Sequence, residues 1–312
     1  MSNNPNHDAL YEAAAFGLIE NRTLIEVRGN DRHTFLHNLC TNDVKSLTPG
    51  SGCEAFFTNV QGKTLCHALL FCLEEAVWIS TDPQLADQLL PHLDKYLIRE
   101  DVQLVDKTSE LNTYLLAGPK ATTIAEQTLE TKLSEPLQHR PSLADPNVII
   151  GNGPFGILVF APADSDVSEL LVEKGALLVG SDTIELARLE AKFPASGRDI
   201  TLENLPQEID RDKLAISFTK GCYLGQETVA RIDALGRVNK QLVSLKFDGS
   251  DVPEVGTELV LEEKNVGTVT SACWSPKLEC PIALGFVRCE AIEKQATLSS
   301  TSGNAMIQSH AN

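Results

Sequence analysis

The stretch Lys220–Glu227 has the sequence Lys-Gly-Cys-Tyr-Leu-Gly-Gln-Glu, which places a thiol, a cation and two glycines within eight residues. Val229 and Ile232 follow as an apolar pattern typical of a helix, so a helix is predicted to begin shortly after the cysteine. The charge of Lys220 and the helix N-terminus both favour the thiolate of Cys222 over that of a free cysteine, whose pKa is about 8.5. Cys222 is therefore predicted to be a reactive thiol. The alternative is a buried structural cysteine in a tight turn.

Two further blocks carry charged and polar residues in a recognisable order. Arg28–Val44 has the sequence Arg-Gly-Asn-Asp-Arg-His-Thr-Phe-Leu-His-Asn-Leu-Cys-Thr-Asn-Asp-Val, and Arg188–Asp199 has the sequence Arg-Leu-Glu-Ala-Lys-Phe-Pro-Ala-Ser-Gly-Arg-Asp. Together with Lys220–Glu227, these blocks resemble the signatures of the YgfZ-type folate-binding proteins. That branch belongs to the family that also contains the aminomethyltransferase (T-protein) of the glycine cleavage system. The blocks occur in the family's order across most of the chain.

The resemblance implies an α+β fold with a C-terminal all-β barrel. Two interleaved α+β subdomains would form an aminomethyltransferase-like, folate-binding core over residues 8–238, followed by the barrel over 239–300. Short strand-like runs divided by Gly, Pro and Asp after residue 238 also predict a small all-β domain. Residues 301–312 are predicted to be a flexible tail because they are mostly small and polar.

Hydrophobic patterning predicts the elements of the core. Strands are expected at 24–27, 53–58, 65–72, 76–81, 102–105, 111–116, 148–151 and 157–160, and helices at 34–40, 120–131 and 166–175, with a loop at 136–146. Capping residues predict three helix starts: at Asp31, at Asp82 with Pro83 for a helix running to about Tyr96, and at Asp182 with Glu185.

Glu190 falls near the C-terminal end of the third of these helices. A carboxylate there gains nothing from the helix dipole, which favours a functional role over a stabilising one. A pterin edge presents an amino group beside a ring N–H, and a carboxylate accepts both hydrogen bonds. The resemblance implies that the corresponding glutamate of the family recognises the pterin. The alternative is an ordinary glutamate on a helix surface.

An acidic protein needs a local positive charge to hold the carboxylates of a reduced folate. Gln226, within the Lys220–Glu227 motif, is a further predicted folate-binding residue. The basic candidates, each of which could instead be solvated surface charge, are Arg198, Arg231, Arg237 and Lys240.

The chain departs from the aminomethyltransferases at one catalytic position. Aligning Gly62 with the glycine of their hairpin puts Cys66 and His67 where the family has acidic residues that work in one-carbon transfer. His67 has the chemistry of a general base near pH 7, although a histidine in a strand is more often a core or edge residue. Whether the protein is an enzyme is therefore left open.

Composition and charge limit the classes of protein to which the chain can belong. With 312 residues, 42% apolar and 22% charged, the chain is predicted to be soluble and globular. Its net charge of −17 argues against a nucleic-acid surface, and the absence of a signal peptide or a membrane-length apolar run predicts a cytoplasmic protein without membrane contact. The eight cysteines lack metal-type spacing, so they are expected to be reduced thiols, mostly in the core, with no metal site.

The resemblance implies a tetrahydrofolate-dependent accessory protein for iron–sulfur cluster assembly or repair, in which Cys222 is the working thiol and Lys220 assists it. Its partners would be a reduced folate and iron–sulfur enzymes or assembly factors. Two alternatives stay open: a folate-dependent aminomethyl or C1-transferase, and a folate-binding scaffold without chemistry.

Overall fold

A computed structural model describes residues 5–129, 132–165 and 167–308. The helices are α1 Pro5–Glu12, α2 Arg32–Leu39, α3 Ala86–Asp94, α4 Ala121–Leu129, α5 Val167–Glu173, α6 Ser181–Glu190, α7 Asp212–Ala215, α8 Gln226–Leu235 and α9 Cys289–Glu293, with a 3-10 helix at Pro206–Ile209. The strands are β1 Ala15–Leu18, β2 Thr23–Arg28, β3 Gly52–Thr58, β4 Thr64–Cys72, β5 Ala76–Thr81, β6 Gln103–Asp106, β7 Leu111–Ala117, β8 His139–Pro141, β9 Ile149–Gly153, β10 Gly156–Pro162, β11 Leu177–Leu178, β12 Lys240–Phe247, β13 Glu258–Leu261, β14 Lys264–Ser275, β15 Cys280–Arg288, β16 Thr297–Ser300 and β17 Gly303–Gln308.

Contacts divide the chain into two compact units. The first comprises the chain up to residue 58 together with 65–184 and 213–224, and the second comprises 59–64, 185–212 and the chain from 225 onward. Within the part of the chain that the structure describes, no helix is both long and apolar enough to cross a membrane.

The first unit contains two interleaved sheets. One has the strand order β11-β1-β7-β10-β9-β8 and the other β3-β4-β5-β2-β6. The chain leaves the first sheet after β1, builds the whole of the second, and returns to the first at β7. The predicted interleaved α+β arrangement is thereby confirmed.

The two sheets pack face to face and helices cover their outer faces. Phe160 of β10 contacts Phe71 and Trp78 of the second sheet, with ring centroids 5.2 and 5.7 Å apart in edge-to-face geometry. Alternate residues of a strand face the same side, so the other face of the second sheet presents its own apolar set to α2 and α3. That set includes Ile25, Val27, Ala55, Phe57, Cys66, Ala68, Leu70, Val77 and Ile79. Helices α4 and α5 pack in the same way on the first sheet through residues that include Ile124 and Leu171.

The second unit contains a closed barrel of strand order β12-β15-β14-β13-β16-β17. The predicted all-β C-terminal barrel is confirmed. Its last strand, β17, corrects the predicted tail, because residues 305–308 pair with β12 and Ala305 is buried. This strand closes the barrel, so the sheet has no free edge. Pairing with neighbouring strands therefore orders the segment, although its local sequence is small and polar. Residues 309–312 lie outside the described residues.

Three local predictions are wrong. Helix α3 begins at Ala86 rather than Asp82, and its preceding residue Leu85 donates its amide to the hydroxyl of Thr23 on β2 at 3.1 Å. Residues 139–141 of the predicted loop form β8, which pairs with β9. Helix α6 begins one residue before Asp182, so the predicted capping box does not form there. For α3 and β8, a hydrogen-bonding partner outside the local segment outweighs the local signal.

Candidate functional site

Lys220 anchors its segment to the end of helix α2 within the first unit. Its Nζ atom donates hydrogen bonds to the carbonyl oxygens of His37, Cys40 and Asn42 at 2.5, 2.7 and 2.7 Å. An ammonium group has three N–H donors, so these bonds use all of them. Burial lowers the pKa of Lys220, and the negative charge of Asp43 opposes that shift. These contacts make Lys220 a positioning residue, and its predicted direct role beside the thiol stays a prediction.

Cys222 is the exposed member of the eight free cysteines. Two residues later, the Leu224 amide donates to the Asn38 carbonyl at 2.9 Å, and the Leu224 carbonyl accepts from the Thr58 hydroxyl at 2.6 Å. The thiol therefore stands on a short segment that is held on both sides. It lies four residues before the start of α8, as the sequence pattern predicts.

The other cysteines are poorly suited to nucleophilic chemistry because burial disfavours their thiolates. Burial raises the pKa of Cys66 and of Cys273 to about 12. It also raises the pKa of Cys40, Cys53, Cys72, Cys280 and Cys289.

Helix α8 begins after Gly225, which has a left-handed backbone conformation with a φ of 81°. The turn at 59–63 packs against this start within the second unit. A Cβ atom on Gly62 would lie 2.6 Å from the Cβ of Thr228 and 2.9 Å from the Gly225 carbonyl oxygen, so only glycine allows the approach. Gln226 is the first residue of α8 and is half-buried.

Glu190 is the last residue of α6, as predicted, and belongs to the second unit. Its Oε1 atom accepts a 2.6 Å hydrogen bond from the hydroxyl of Ser275 at the end of β14. The side chain is half-buried, and its charge contributes to the raised pKa of Cys273 after burial itself and Glu185. This carboxylate is thus oriented by the barrel rather than free on a helix surface.

A buried ionic network surrounds Arg188, two residues before Glu190. Arg188 donates to both carboxylate oxygens of Glu185 at 2.9 and 2.7 Å and to Asp199 at 2.7 Å. Burial works against the charge of Arg188, but these carboxylates raise its pKa above the ordinary value. Asp199 is fully buried and also accepts from the hydroxyls of Thr270 and Ser271 at 2.5 and 2.7 Å. Both Arg188 and Asp199 stand in the block Arg188–Asp199, but the motif alone does not reveal that they pair.

The predicted basic ligands have different surroundings. Both terminal nitrogens of Arg198 bind the Glu185 carboxylate at 3.1 and 2.9 Å, so its charge is already matched inside the protein. Arg231 is exposed on α8. Arg237 lines a cavity of about 310 Å³ whose other lining residues include the carboxylates Asp212, Asp233 and Glu293. These negative charges disfavour binding of the folate's glutamate tail at Arg237, because the tail is also negatively charged. Lys240 lies 4.0 Å from Glu208.

The two residues at the family's acidic position face opposite sides of β4. Cys66 belongs to the core beneath α2 and α3. His67 lies on the other face, where its Nε2 atom is 2.9 Å from a carboxylate oxygen of Glu54 on β3, and both side chains are buried. A carboxylate, that of Glu54, therefore lies beside His67, but it belongs to the neighbouring strand β3. The sequence alignment missed Glu54 because strand pairing brings the two residues together.

Comparisons with known proteins agree with this architecture. Residues 3–139 match the family described as the GCVT N-terminal domain, and residues 240–308 match the glycine cleavage T-protein C-terminal barrel domain. The second match coincides with strands β12 to β17.

Relatives of the chain include a chloroplastic transferase-like protein of Arabidopsis thaliana, which is 28% identical over 86% of the chain. The chain spans 63% of the length of that protein. An aminomethyltransferase of Symbiobacterium thermophilum is 26% identical over 90% of the chain and 80% of its own length. An aminomethyltransferase of Prochlorococcus marinus strain NATL2A is 22% identical over 91% of the chain and 82% of its own length.

Among solved structures, the glycine cleavage system aminomethyltransferase T from Bartonella henselae has the same fold, with a TM-score of 0.84 and 19% identity over 98% of this chain and 88% of that one. Matches to both parts of the T-protein, a shared fold and relatives along most of the chain agree with one another. The chain belongs to the superfamily of the glycine cleavage T-protein and its aminomethyltransferase-like relatives.

Proposed function

We propose that this protein binds a reduced folate and uses Cys222 as the working thiol of an accessory factor for iron–sulfur cluster assembly or repair. The observation that carries the proposal is the exposed Cys222 on a segment anchored to α2. The motif around it resembles that of the YgfZ-type branch. Its partners are tetrahydrofolate or a substituted form and the iron–sulfur enzymes or assembly factors that it serves.

The chemistry of Glu190 supports folate as the ligand. The hydroxyl of Ser275 donates to one oxygen of the Glu190 carboxylate and fixes the orientation of the group. The amino group and ring N–H of a pterin are the paired donors that such a carboxylate accepts with charge-assisted strength. In the folate-bound state we assign pterin recognition to Glu190, with Gln226 and Arg231 as additional contacts. Arg198 supports the site by holding Glu185.

A second candidate, a folate-dependent C1-transferase, is favoured by one observation. The buried pair of His67 and Glu54 places a carboxylate and an imidazole beside the position that is acidic in the aminomethyltransferases. A carboxylate that orients an imidazole is an arrangement suited to proton transfer. Replacing His67 would abolish turnover under this alternative and would leave the thiol-dependent function intact under the first.

The experiment has two parts. Titration calorimetry of the purified protein with tetrahydrofolate and with its methylene and formyl forms should show saturable binding, and no binding of any form would remove the folate proposal. In cells that lack the native protein, Cys222→Ser should fail to restore iron–sulfur enzyme activity, while Cys289→Ser at the half-buried start of α9 should restore it. Full restoration by Cys222→Ser would leave the folate-binding scaffold as the function.

The cytoplasm is the compartment that we propose from the sequence. The relative from Arabidopsis is described as chloroplastic, so localisation of a tagged chain in its own cells is the direct test.

A further inference from the structure

A cavity of about 740 Å³ lies within the first unit and is lined by residues of both of its sheets. Strands β2 and β5 contribute residues from one sheet, and β8 and β9 contribute residues from the other. Its apolar lining consists of Pro49, Leu73, Ala76, Pro141, Pro146 and Ile149. Ligand sites are usually cavities of about 300–1,000 Å³ with mostly apolar walls and a few polar groups, so this cavity has the size and lining of a site for a small organic molecule.

Arg140 on β8 supplies a fixed cation in the wall of this cavity. Its Nη1 atom donates hydrogen bonds to the carbonyl oxygens of Gly50 and His139 at 3.2 and 2.7 Å. Gly50 has a φ of 87°, and a Cβ atom there would overlap Nη1 of Arg140, so only glycine allows this approach. The Gly50 amide donates in turn to the Cys72 carbonyl at 2.8 Å. The guanidinium is therefore held in place without a ligand.

The edge of the Arg140 guanidinium that is formed by Nε and Nη2 is open. Within the described part of the chain, neither nitrogen has a hydrogen-bond acceptor, and Arg140 has no carboxylate partner. The side chain is half-buried, yet both nitrogens remain accessible rather than sealed against the protein. Two N–H donors along one edge of a planar group match the two oxygens of a carboxylate. The open edge therefore has the geometry of a carboxylate site.

Glu26, the buried carboxylate of the lining, already has partners. It accepts a hydrogen bond from Nε1 of Trp78 at 3.0 Å, and its other oxygen lies 2.7 Å from Nη2 of Arg28. Since the charges of Glu26 and Arg28 cancel at short range, this pair does not offset the charge of Arg140.

The remaining titratable residues of the lining are Glu74, Glu75 and His139. Both glutamates are exposed at the turn between β4 and β5, where water and salt screen their charges. Burial lowers the pKa of His139, so its imidazole is neutral at pH 7. The unmatched charge that a ligand meets inside the cavity is therefore the positive charge of Arg140.

From this arrangement we infer that the cavity binds a small organic acid. The carboxylate of the ligand accepts from Nε and Nη2 of Arg140, and its apolar body lies on the wall that includes Pro141 and Ile149. This site goes beyond the proposed function. The residues proposed for the folate, which are Glu190, Gln226 and Arg231, belong to the second unit, and Cys222 does not line the cavity.

Titration calorimetry of the purified protein tests the site with two probes of this class, 1-naphthaleneacetate and decanoate, each compared with its neutral amide. At least one of the acids should bind saturably at one site per chain. Its amide has the same apolar body but lacks the charge and the second acceptor oxygen that match Arg140. The amide should therefore bind about ten- to a hundredfold more weakly.

Arg140→Gln should weaken binding of the acid about ten- to a hundredfold and leave the affinity for the amide unchanged. Arg140→Lys keeps a positive charge but has no planar edge with two donors, so it should weaken binding less. It carries the test if Arg140→Gln does not fold. Arg99→Gln replaces an exposed arginine outside the cavity lining and is the matched control, which should bind the acid like the native protein.

Three results would overturn the inference: no saturable binding of either acid, equal affinities for acid and amide, or native affinity in both Arg140 variants. Tetrahydrofolate should not displace the bound acid. Displacement would assign the cavity to the folate and likewise rule out a separate site. The role of Cys222 is measured independently, by restoration of iron–sulfur enzyme activity, so failure of this inference and failure of the proposed function are distinguishable.

Discussion

The hydroxyl of Ser275 holds Oε1 of Glu190 at 2.6 Å. Ser275 is fully buried at the end of β14, so the barrel fixes the carboxylate that ends α6. The orientation of Glu190 therefore depends on a strand that lies 85 residues further along the chain.

Glu190→Gln should weaken tetrahydrofolate binding about ten- to a hundredfold. The amide keeps one acceptor but turns a donor toward the pterin, and an unpaired buried donor costs about 1–3 kcal/mol. Titration calorimetry measures the effect. Glu173→Gln, at the last residue of α5, is the matched control and should bind folate like the native protein. An unchanged dissociation constant for Glu190→Gln would show that another group recognises the pterin.

Arg188→Met should lower the free energy of unfolding by about 3–5 kcal/mol, because it leaves the buried carboxylate of Asp199 without its ionic partner. Urea unfolding at pH 7 measures the change. Arg198→Met removes a half-exposed partner of Glu185 and should cost at most about 1 kcal/mol. Similar losses for the two variants would contradict the distinction between the buried and exposed pairs.

The stability of the protein should fall in acid, in part through Glu185. Burial alone raises the pKa of this carboxyl, but the hydrogen bonds and charges of Arg188 and Arg198 bring it below the ordinary value. The folded state then binds fewer protons than the unfolded state, so this contribution is fully present above the unfolded pKa of about 4.3 and is lost as pH falls through the folded pKa.

Denaturant unfolding between pH 3 and 7 checks this pH dependence. Glu185→Gln should begin from a lower stability and lose less of it below about pH 4.5 than the native protein does. If the free energy of unfolding of the two proteins falls in parallel with pH, the acid sensitivity comes from other carboxylates.

Lys220→Met should lower the free energy of unfolding by about 1.5–3 kcal/mol, the usual contribution of hydrogen bonds to a charged group. Hydrogen exchange at the Leu224 amide should become faster, because segment 220–224 loses one anchor. Lys213→Met, an exposed lysine on α7, is the control and should change neither quantity. A variant of Lys220 with native stability but a slow Cys222 reaction would instead support the predicted direct role beside the thiol.

Local patterns were sufficient for many elements of the core. The predicted strand at 76–81 coincides with β5, and the predicted end of a helix near Glu190 coincides with the end of α6. These elements were predictable because apolar periodicity and chain-breaking residues act within a few residues of one another. The order of the three motif blocks likewise indicated the superfamily before any contact was known.

The partners of the site residues were not predictable, because tertiary structure chooses them. Lys220 could be placed beside Cys222 in the sequence, yet its ammonium binds the carbonyl of His37, which is 183 residues away. Glu54 reaches His67 only because β3 and β4 are neighbours in one sheet. Hydrogen bonds of this kind depend on which surfaces come into contact when the sheets and helices pack. The sequence near each residue does not specify those contacts. The sequence by itself determined most of the element types and identified the thiol of Cys222 and the carboxylate of Glu190 as candidates. The packing of segment 220–224 against α2, and of α6 against β14, decided which groups hold them in place.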